Sequence, residues 1–399
     1  MHANTRHLSL PFFGEAHRDL GPRLAAWIAM QDVDEQDDRA ACQRWVQLLG
    51  EAGWLRYCVP AGPDGALGGA LDQLDSRALV ILRETLAFHS PLADFAFAMQ
   101  GLGSGAITLA GTPDQQAAWL PAVSRGEKIA AFALSEPDAG SDAGAMAMRA
   151  APSAGGWQLD GTKTWISNGG IADFYVTFAK TDADAGTRGI TAFIVDATTP
   201  GLDSSEHIAV MAPHPLATLQ FTGCQVAAGA QLGALNGGFK LAMQTLDIFR
   251  ASVAGAALGM ARRALAEAVS FASTRRMFGQ TLADFQLTQA KIGEMAALID
   301  AAALLTYRAA WMRDEHERSG DAASVEGRRE RTVAAAMAKM TATENAQRVI
   351  DMALQMHGGM GVKVGTKVES LYRDIRSLRI YEGATEVQQL IIGKAVLQS

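Results

Sequence analysis

Hydrophobic and polar positions follow three successive patterns along this chain. Up to residue 130 the pattern is helical, dominated by alanine, leucine, glutamine and arginine. Thr112-Pro113-Asp114 has the form of a helix start with proline in the first turn, and Ser90-Pro91 starts a second apolar stretch, PLADFAFAMQG. Gly- and Pro-rich stretches at 60–69 and 101–105 predict breaks. From residue 131 the text changes to short β-rich runs, WQLDGTKTWIS, DFYVTFAKT, RGITAFIVD and TLQFTGC. Turn signals at Asp160-Gly161, Asn168-Gly169-Gly170 and Pro200-Gly201 separate them, which predicts a small barrel or sandwich. From residue 240 the period is helical again. Ile292, Met295, Ile299 and Ala302 share one helix face, and that helix should stop near Ser319-Gly320. A long alanine-rich helix is expected over 328–357, closed by His357-Gly358-Gly359 and packed closely in a bundle. The chain therefore reads as α+β and multi-domain: an N-terminal all-α domain (1–130), a middle β-barrel or sandwich domain (131–239) and a C-terminal helical bundle (240–399).

Composition narrows the function classes. With 35 basic and 42 acidic side chains in 399 residues, the net charge of −7 argues against a nucleic-acid or anionic-membrane partner. Cys42, Cys58 and Cys224 are scattered, without metal or disulfide spacing, which predicts a reducing, cytoplasmic location. The histidines form no HExxH or His/Cys cluster, so no metal is expected. The first residues are broken by charge and proline, unlike a signal peptide. The apolar run ASVAGAALGMA (251–261) is too short to span a bilayer.

The candidate chemistry lies in four islands. RIYEGATEV (379–387) places Glu382 between Tyr381 and Gly383 in an apolar or basic run, where a merely solvated carboxylate is not expected. It pairs with QMHGGMG (355–361). ALSEPDAGSD (133–142) reads as a strand-to-loop turn whose small Ala139, Gly140 and Ser141 allow close backbone approach to a ligand; the blander reading is a tight turn with Asp138 and Asp142 solvated. GTKTWISNGG (161–170) reads as a hairpin arm in which Trp165 is either a core aromatic or a stacking surface. RRMFGQTLADFQ (275–286) starts a bend between helices, and Arg275-Arg276 is either a solvated pair or an anion site.

In this order and spacing, over residues 10–395, the islands resemble the acyl-CoA dehydrogenase family. The resemblance implies that family's fold, with a four-helix bundle as the C-terminal domain. It implies FAD as cofactor and α,β-dehydrogenation of an acyl-CoA to the 2,3-enoyl-CoA, with Glu382 as the base. Flavin contacts carry over to Phe132, Leu134, Ser135, Gly140, Ser141, Trp165, Ile166 and Ser167. The positions of Arg275, Phe278, Gln286, Gln355, Gly358 and Gly359 match those that hold a neighbouring subunit's flavin, which implies a homo-oligomer, most often a tetramer. Asp247 and Arg250 of LDIFR match the thioester-arm clamp, though at a helix start they also read as a simple charge pair. Ser141, Tyr381, Glu382 and Gly383 would line the substrate. A minority branch keeps its base at the position of Phe249, which cannot accept a proton. The family's usual threonine two residues after the glutamate is Ala384 here; Thr385, with Glu386 beside it, would replace that flavin contact or leave it lost. Electron-transfer flavoprotein is the acceptor the resemblance implies.

Two readings stand for Asp94, which lies with Met99 in an apolar helical stretch that, by the resemblance, floors the acyl cavity, so that both would be substrate-binding. It is a helix N-terminal aspartate paired with arginine or the helix dipole, or it faces the acyl group. In the second case it reads a polar substituent or serves as a second proton acceptor for a cyclic acyl-CoA. The overall text looks most like the cyclohexane- and cyclohexene-carboxyl-CoA dehydrogenase branch. The alternatives are an acyl-CoA oxidase that uses oxygen, and a flavin-bearing DNA-binding relative without efficient dehydrogenation.

Overall fold

The computed structural model of the chain describes residues 5–320 and 324–398. Helices fill the first third: α1 (Glu15–Ile28), α2 (Asp38–Glu51), α3 (Ser76–His89), α4 (Pro91–Ala110) and α5 (Pro113–Ser124). The start of α5 is a capping box. The Thr112 hydroxyl accepts the Gln115 N–H, and the Gln115 side chain accepts the Thr112 N–H. The break expected at 101–105 does not occur, because α4 runs straight through it. Its glycine has a packing role instead: a Cβ at Gly103 would lie 2.7 Å from the Cβ of Ala130.

The middle of the chain forms one mixed eight-stranded sheet. Its strands are β1 (Ala130–Ala133), β2 (Arg149–Ser153), β3 (Gly156–Ser167), β4 (Phe174–Lys180), β5 (Ile190–Asp196), β6 (Leu202–Ile208), β7 (Leu216–Ala227) and β8 (Gln231–Leu232). The order is β6-β7-β3-β2-β4-β5-β8, and β1 pairs with β4. The four expected β-rich runs are β3, β4, β5 and β7. β4 and β5 are buried along almost their whole length, which is why they read as continuous apolar text. β6 (LDSSEHI) is largely exposed and gives no such signal.

The last part is helical: α6 (Gly238–Thr274), α7 (Gln286–Ser319), α8 (Val325–Met356), α9 (Lys367–Leu378) and α10 (Thr385–Leu397). A short hairpin, β9 (Arg276–Met277) with β10 (Gln280–Thr281), joins α6 to α7. The α7 helix stops at Gly320, whose φ of 83° suits glycine. The α8 helix begins before the expected residue 328, because the Ser324 hydroxyl accepts the Gly327 N–H and caps it. LDIFR does not open a helix. It lies inside α6, so a helix-start dipole cannot account for Asp247.

The chain divides into two compact units. One contains the residues up to Asp32, Ser76–Asp94 and everything from Asp247; the other contains Val33–Asp75 and Phe95–Leu246. The second unit is built on the sheet, with Phe174, Val176, Phe178 and Ile190 packed with Ile107, Leu120 and Val123. In the first unit α3 lies directly on α6, where a Cβ at Gly259 would stand 2.1 Å from the Glu84 carbonyl oxygen. This contact explains the small-residue run at 251–261. Beside it, the buried Glu84 carboxylate accepts from Arg262 Nε (2.6 Å) and from the Tyr307 hydroxyl (2.8 Å). On α7, Met295, Ile299 and Ala302 are buried and Ile292 is partly buried, as their spacing predicts. Among the described residues no helix is long and apolar enough to cross a membrane.

Candidate active site

Glu382 sits in the turn between α9 and α10, in the first unit. Its φ is +52° and that of Gly383 is +92°, two successive left-handed residues. A non-glycine residue is rarely held there without a reason, and the conformation costs about 1–3 kcal/mol. The turn is fixed from below by hydrogen bonds to the Gly383 carbonyl, from Lys339 Nζ (2.7 Å) and Gln388 Nε2 (2.9 Å). A Cβ at Gly383 would come within 2.3 Å of Gln388 Nε2 and 3.9 Å of Arg250 Nε.

The polar atoms around this turn are not all satisfied. Glu382 Oε2, Arg250 Nε and Gln388 Oε1 are sealed from solvent and have no hydrogen-bond partner among the described residues. Buried polar groups nearly always have partners, so such a cluster points to a ligand. Burial pushes the Glu382 carboxyl above its ordinary value, against the pull of Arg83, Lys339 and Arg250; the charge of Asp94 adds to the upward push. Burial likewise pushes the neighbouring Tyr381 phenol up.

Asp94 accepts two hydrogen bonds from Arg83, Nε to Oδ1 at 2.8 Å and Nη2 to Oδ2 at 2.9 Å. Arg83 Nη1 also donates to Ser252 Oγ at 3.0 Å. This is the arginine-paired helix-start aspartate of the first reading. Asp247 is paired with Arg250 and accepts from Thr332 Oγ1 at 3.1 Å, while Phe249 is buried in α6. Met99 is buried in α4. Ala384 is the N-cap of α10 and makes no side-chain cap. Thr385 donates its hydroxyl proton to Glu344 Oε1 (2.6 Å), so that proton is not free for a flavin.

The second unit holds the SEPDAG loop. Phe132 packs on Phe178 with ring centroids 4.9 Å apart, Leu134 is buried and Ser135 half-buried, and Gly140 and Ser141 are exposed. Lys163, fully buried on β3, ties the loop down: its Nζ donates to the Leu134 carbonyl (3.0 Å) and to Glu136 Oε1 (2.8 Å). Burial lowers the Lys163 ammonium to about 8 despite Glu136. Two residues on, Trp165 is 58% exposed with φ +58°, at a register shift between β3 and β7. Ile166 is buried, and Ser167 Oγ lies 3.1 Å from His214 Nε2.

In the first unit Arg275, Gln286, Gln355, Gly358, Gly359 and Glu386 are exposed. The Arg275 side chain has no hydrogen bond or ion pair among the described residues. Phe278 is 88% exposed with φ +49°. Within the first unit, an exposed aromatic on strained backbone and an uncommitted guanidinium suit a planar ring and a diphosphate; within the second, the exposed Trp165 on strained backbone suits a planar ring, so each set by itself fits part of a flavin dinucleotide.

Sequence reasoning missed Arg83, Lys339, Gln388 and Lys163. The available signal was a lone cation in an apolar run, LVILRETL for Arg83 and AAAMAKMTA for Lys339.

Comparison with known proteins gives the class. The family models "Acyl-CoA dehydrogenase, N-terminal domain", "middle domain" and "C-terminal domain" match residues 18–127, 131–224 and 236–397. The chain belongs to the acyl-CoA dehydrogenase family and has its three-domain fold; it is an FAD-dependent oxidoreductase acting on CH–CH donors. It is 38% identical to a 3-(aryl)acrylate reductase of Clostridium sporogenes, over 97% of this chain and 100% of that one. It is 37% identical to the mitochondrial short-chain specific acyl-CoA dehydrogenase of Homo sapiens (96% and 88%). The identity is 34% to the caffeyl-CoA reductase-Etf complex subunit CarC of Acetobacterium woodii (96% and 96%). Among solved structures, butyryl-CoA dehydrogenase from Megasphaera elsdenii matches with a TM-score of 0.85 at 31% identity (96% and 99%).

Proposed function

We propose that the chain catalyses α,β-dehydrogenation of an acyl-CoA thioester, with Glu382 abstracting the α-proton. The observation that carries this is the sealed, unpartnered Oε2 of Glu382 on a left-handed turn, beside the equally unpartnered Nε of Arg250. A buried carboxylate pushed above its ordinary value by burial is a stronger base toward a weak carbon acid than a solvated one. In this reading the Glu382 backbone N–H donates to the thioester oxygen and stabilises the developing enolate. Asp247 and Arg250 hold the thioester arm; Phe249 contributes no base. FAD, when bound, supplies the acceptor for the β-hydride. Phe132, Leu134, Ser135, Ser141, Trp165, Ile166 and Ser167 would orient it. Arg275, Phe278, Gln286, Gln355, Gly358 and Gly359 would serve a flavin in a second copy of a cytoplasmic homotetramer. Electron-transfer flavoprotein is the proposed acceptor, supported by the likeness to the Etf-complex subunit of Acetobacterium woodii.

The test is anaerobic bleaching of the flavin against straight, branched, aryl and cyclic acyl-CoAs. Glu382→Gln should bind substrate and bleach at least a hundredfold more slowly (~10²-fold or more for a lost proton acceptor); unchanged bleaching removes Glu382 from this role. A cyclohexane- or cyclohexene-carboxyl-CoA belongs in the panel, since that reading requires Asp94 to leave its bidentate bond to Arg83 and take a proton. Hydrogen peroxide release on turnover would mark an oxidase instead.

A second reading has a specific observation behind it. Two relatives that match over almost their whole length carry reductase names, 3-(aryl)acrylate reductase and caffeyl-CoA reductase. The physiological direction would then be reduction of a 2-enoyl group, with Glu382 donating the α-proton. Reoxidation of dithionite-reduced protein by aryl-acrylyl substrates, faster than by crotonyl-CoA, would favour it.

A further inference from the structure

Three cations act on the Glu382 carboxylate: Arg83, Lys339 and Arg250. Two of them are already committed, Arg83 to Asp94 and Arg250 to Asp247. Lys339 differs. Its side chain is fully buried in the middle of α8, and among the described residues its ammonium makes one hydrogen bond, to the Gly383 carbonyl at 2.7 Å. A neutral carbonyl does not compensate a buried charge. The opposing charges that act on Lys339 are Glu382 first, then Glu344 and Glu386, while Arg250 acts against it. Glu344 is itself engaged by Arg379 Nε (2.8 Å) and the Thr385 hydroxyl (2.6 Å). The ammonium is therefore balanced chiefly by the carboxylate one residue before the carbonyl it binds.

We propose that Lys339 is a positioning residue for the base: through the Gly383 carbonyl it holds Glu382 and Gly383 in their left-handed conformations, and among the described residues it is the cation acting on Glu382 that no other carboxylate neutralises by contact. Burial lowers the Lys339 ammonium to about 8, so it is still largely protonated at neutral pH. The charged groups facing Glu382 are Arg83, Lys339, Arg250 and Asp94, and loss of the Lys339 charge leaves burial and Asp94 opposed by two arginines that are already paired. The proton affinity of Glu382 then rises. The inference rests on Glu382 being the base.

The experiment uses the flavin-loaded protein and compares the pH profile of acyl-CoA-dependent bleaching, flavin content and thermal unfolding for Lys339→Arg, Lys339→Gln and Lys339→Met. Both neutral variants should move the acid limb upward by about one pH unit, the low end of the range for a nearby opposite charge. Methionine should also slow bleaching more than tenfold (~10-fold or more for a displaced base), because it removes the donor to the turn. Arginine should restore the wild-type limb. If methionine does not give folded protein, Lys339→Gln, which keeps an N–H for the carbonyl, decides. An unmoved acid limb in the neutral variants overturns the proposal. Glu382→Gln runs beside them: if it bleaches normally, the base assignment itself fails. If it is inactive while the Lys339 variants keep their limb, only the role of Lys339 fails.

Discussion

Arg83 and Asp94 form a bidentate ion pair at 2.8 and 2.9 Å in which both side chains are almost completely sealed from solvent. Arg83 pulls the Glu382 carboxyl down and Asp94 pushes it up, so the pair is a nearly balanced charge acting on Glu382. Burial raises the Asp94 carboxyl above its ordinary value, with the charge and hydrogen bonds of Arg83 pulling against it. Asp94→Asn keeps the shape and deletes the counter-charge. Arg83 is then unopposed, and the acid limb of the bleaching profile should shift to lower pH, opposite to the shift expected for the neutral Lys339 variants. The ratio of rates for cyclic and straight-chain substrates should stay the same, since Asp94 is occupied by Arg83; a changed ratio would show that it reads the acyl group. Asp94→Leu, which strands a buried guanidinium, should cost about 3–5 kcal/mol in urea unfolding.

Glu84 gives a stability prediction with a defined sign. Burial pushes its carboxyl up, but Arg262, His7 and the Tyr307 hydroxyl outweigh this and hold it below its ordinary value. A carboxylate whose folded value is depressed contributes stability that is fully present above the unfolded value near 4.5 and is lost as pH falls through the folded value. Unfolding free energy should therefore drop steeply below about pH 4.5. Glu84→Gln should be less stable by about 3–5 kcal/mol at neutral pH, because it leaves Arg262 without its counter-charge. It should also have a flatter acid limb. The check is a set of urea titrations from pH 3.5 to 7.5; parallel curves for the two proteins would contradict this account.

The elements that the chain reveals to a reader are those whose burial is one-sided or complete. Fully buried β4 and β5 read as continuous apolar runs, and the one-sided face of α7 reads through Ile292, Met295, Ile299 and Ala302. β2 and β6 stayed silent because they are largely polar or exposed, existing by pairing with β3 and β7 rather than by an apolar pattern of their own. Gly103 misled for the opposite reason: its signal is helix-to-strand contact, which has the same letter as a break. At the site, Glu382 was legible because a carboxylate in an apolar run needs an explanation. Lys339, Arg83 and Gln388 were not, because what makes them matter is a neighbour 44, 11 or 5 residues away in the chain, supplied only by folding.

Ala384 connects the site to the helix behind it. It is the N-cap of α10, with extended backbone (φ −57°, ψ 159°) and no side chain able to accept the free N–H groups of the first turn. Serine, threonine, aspartate or asparagine is the usual solution there, and threonine is what the family usually carries. Ala384→Thr should therefore stabilise the protein by about 0.5–2 kcal/mol through the cap alone. Its hydroxyl is also next to Thr385, whose own proton is held by Glu344. If the position faces the flavin as the family resemblance implies, the same substitution should tighten FAD binding to apoprotein. The two effects separate experimentally: urea unfolding of the apoprotein reads the cap, and fluorescence titration with FAD reads the flavin contact. A more stable apoprotein with unchanged FAD affinity would mean that the missing threonine matters here only to α10, and that this chain holds its flavin without a hydroxyl at that position.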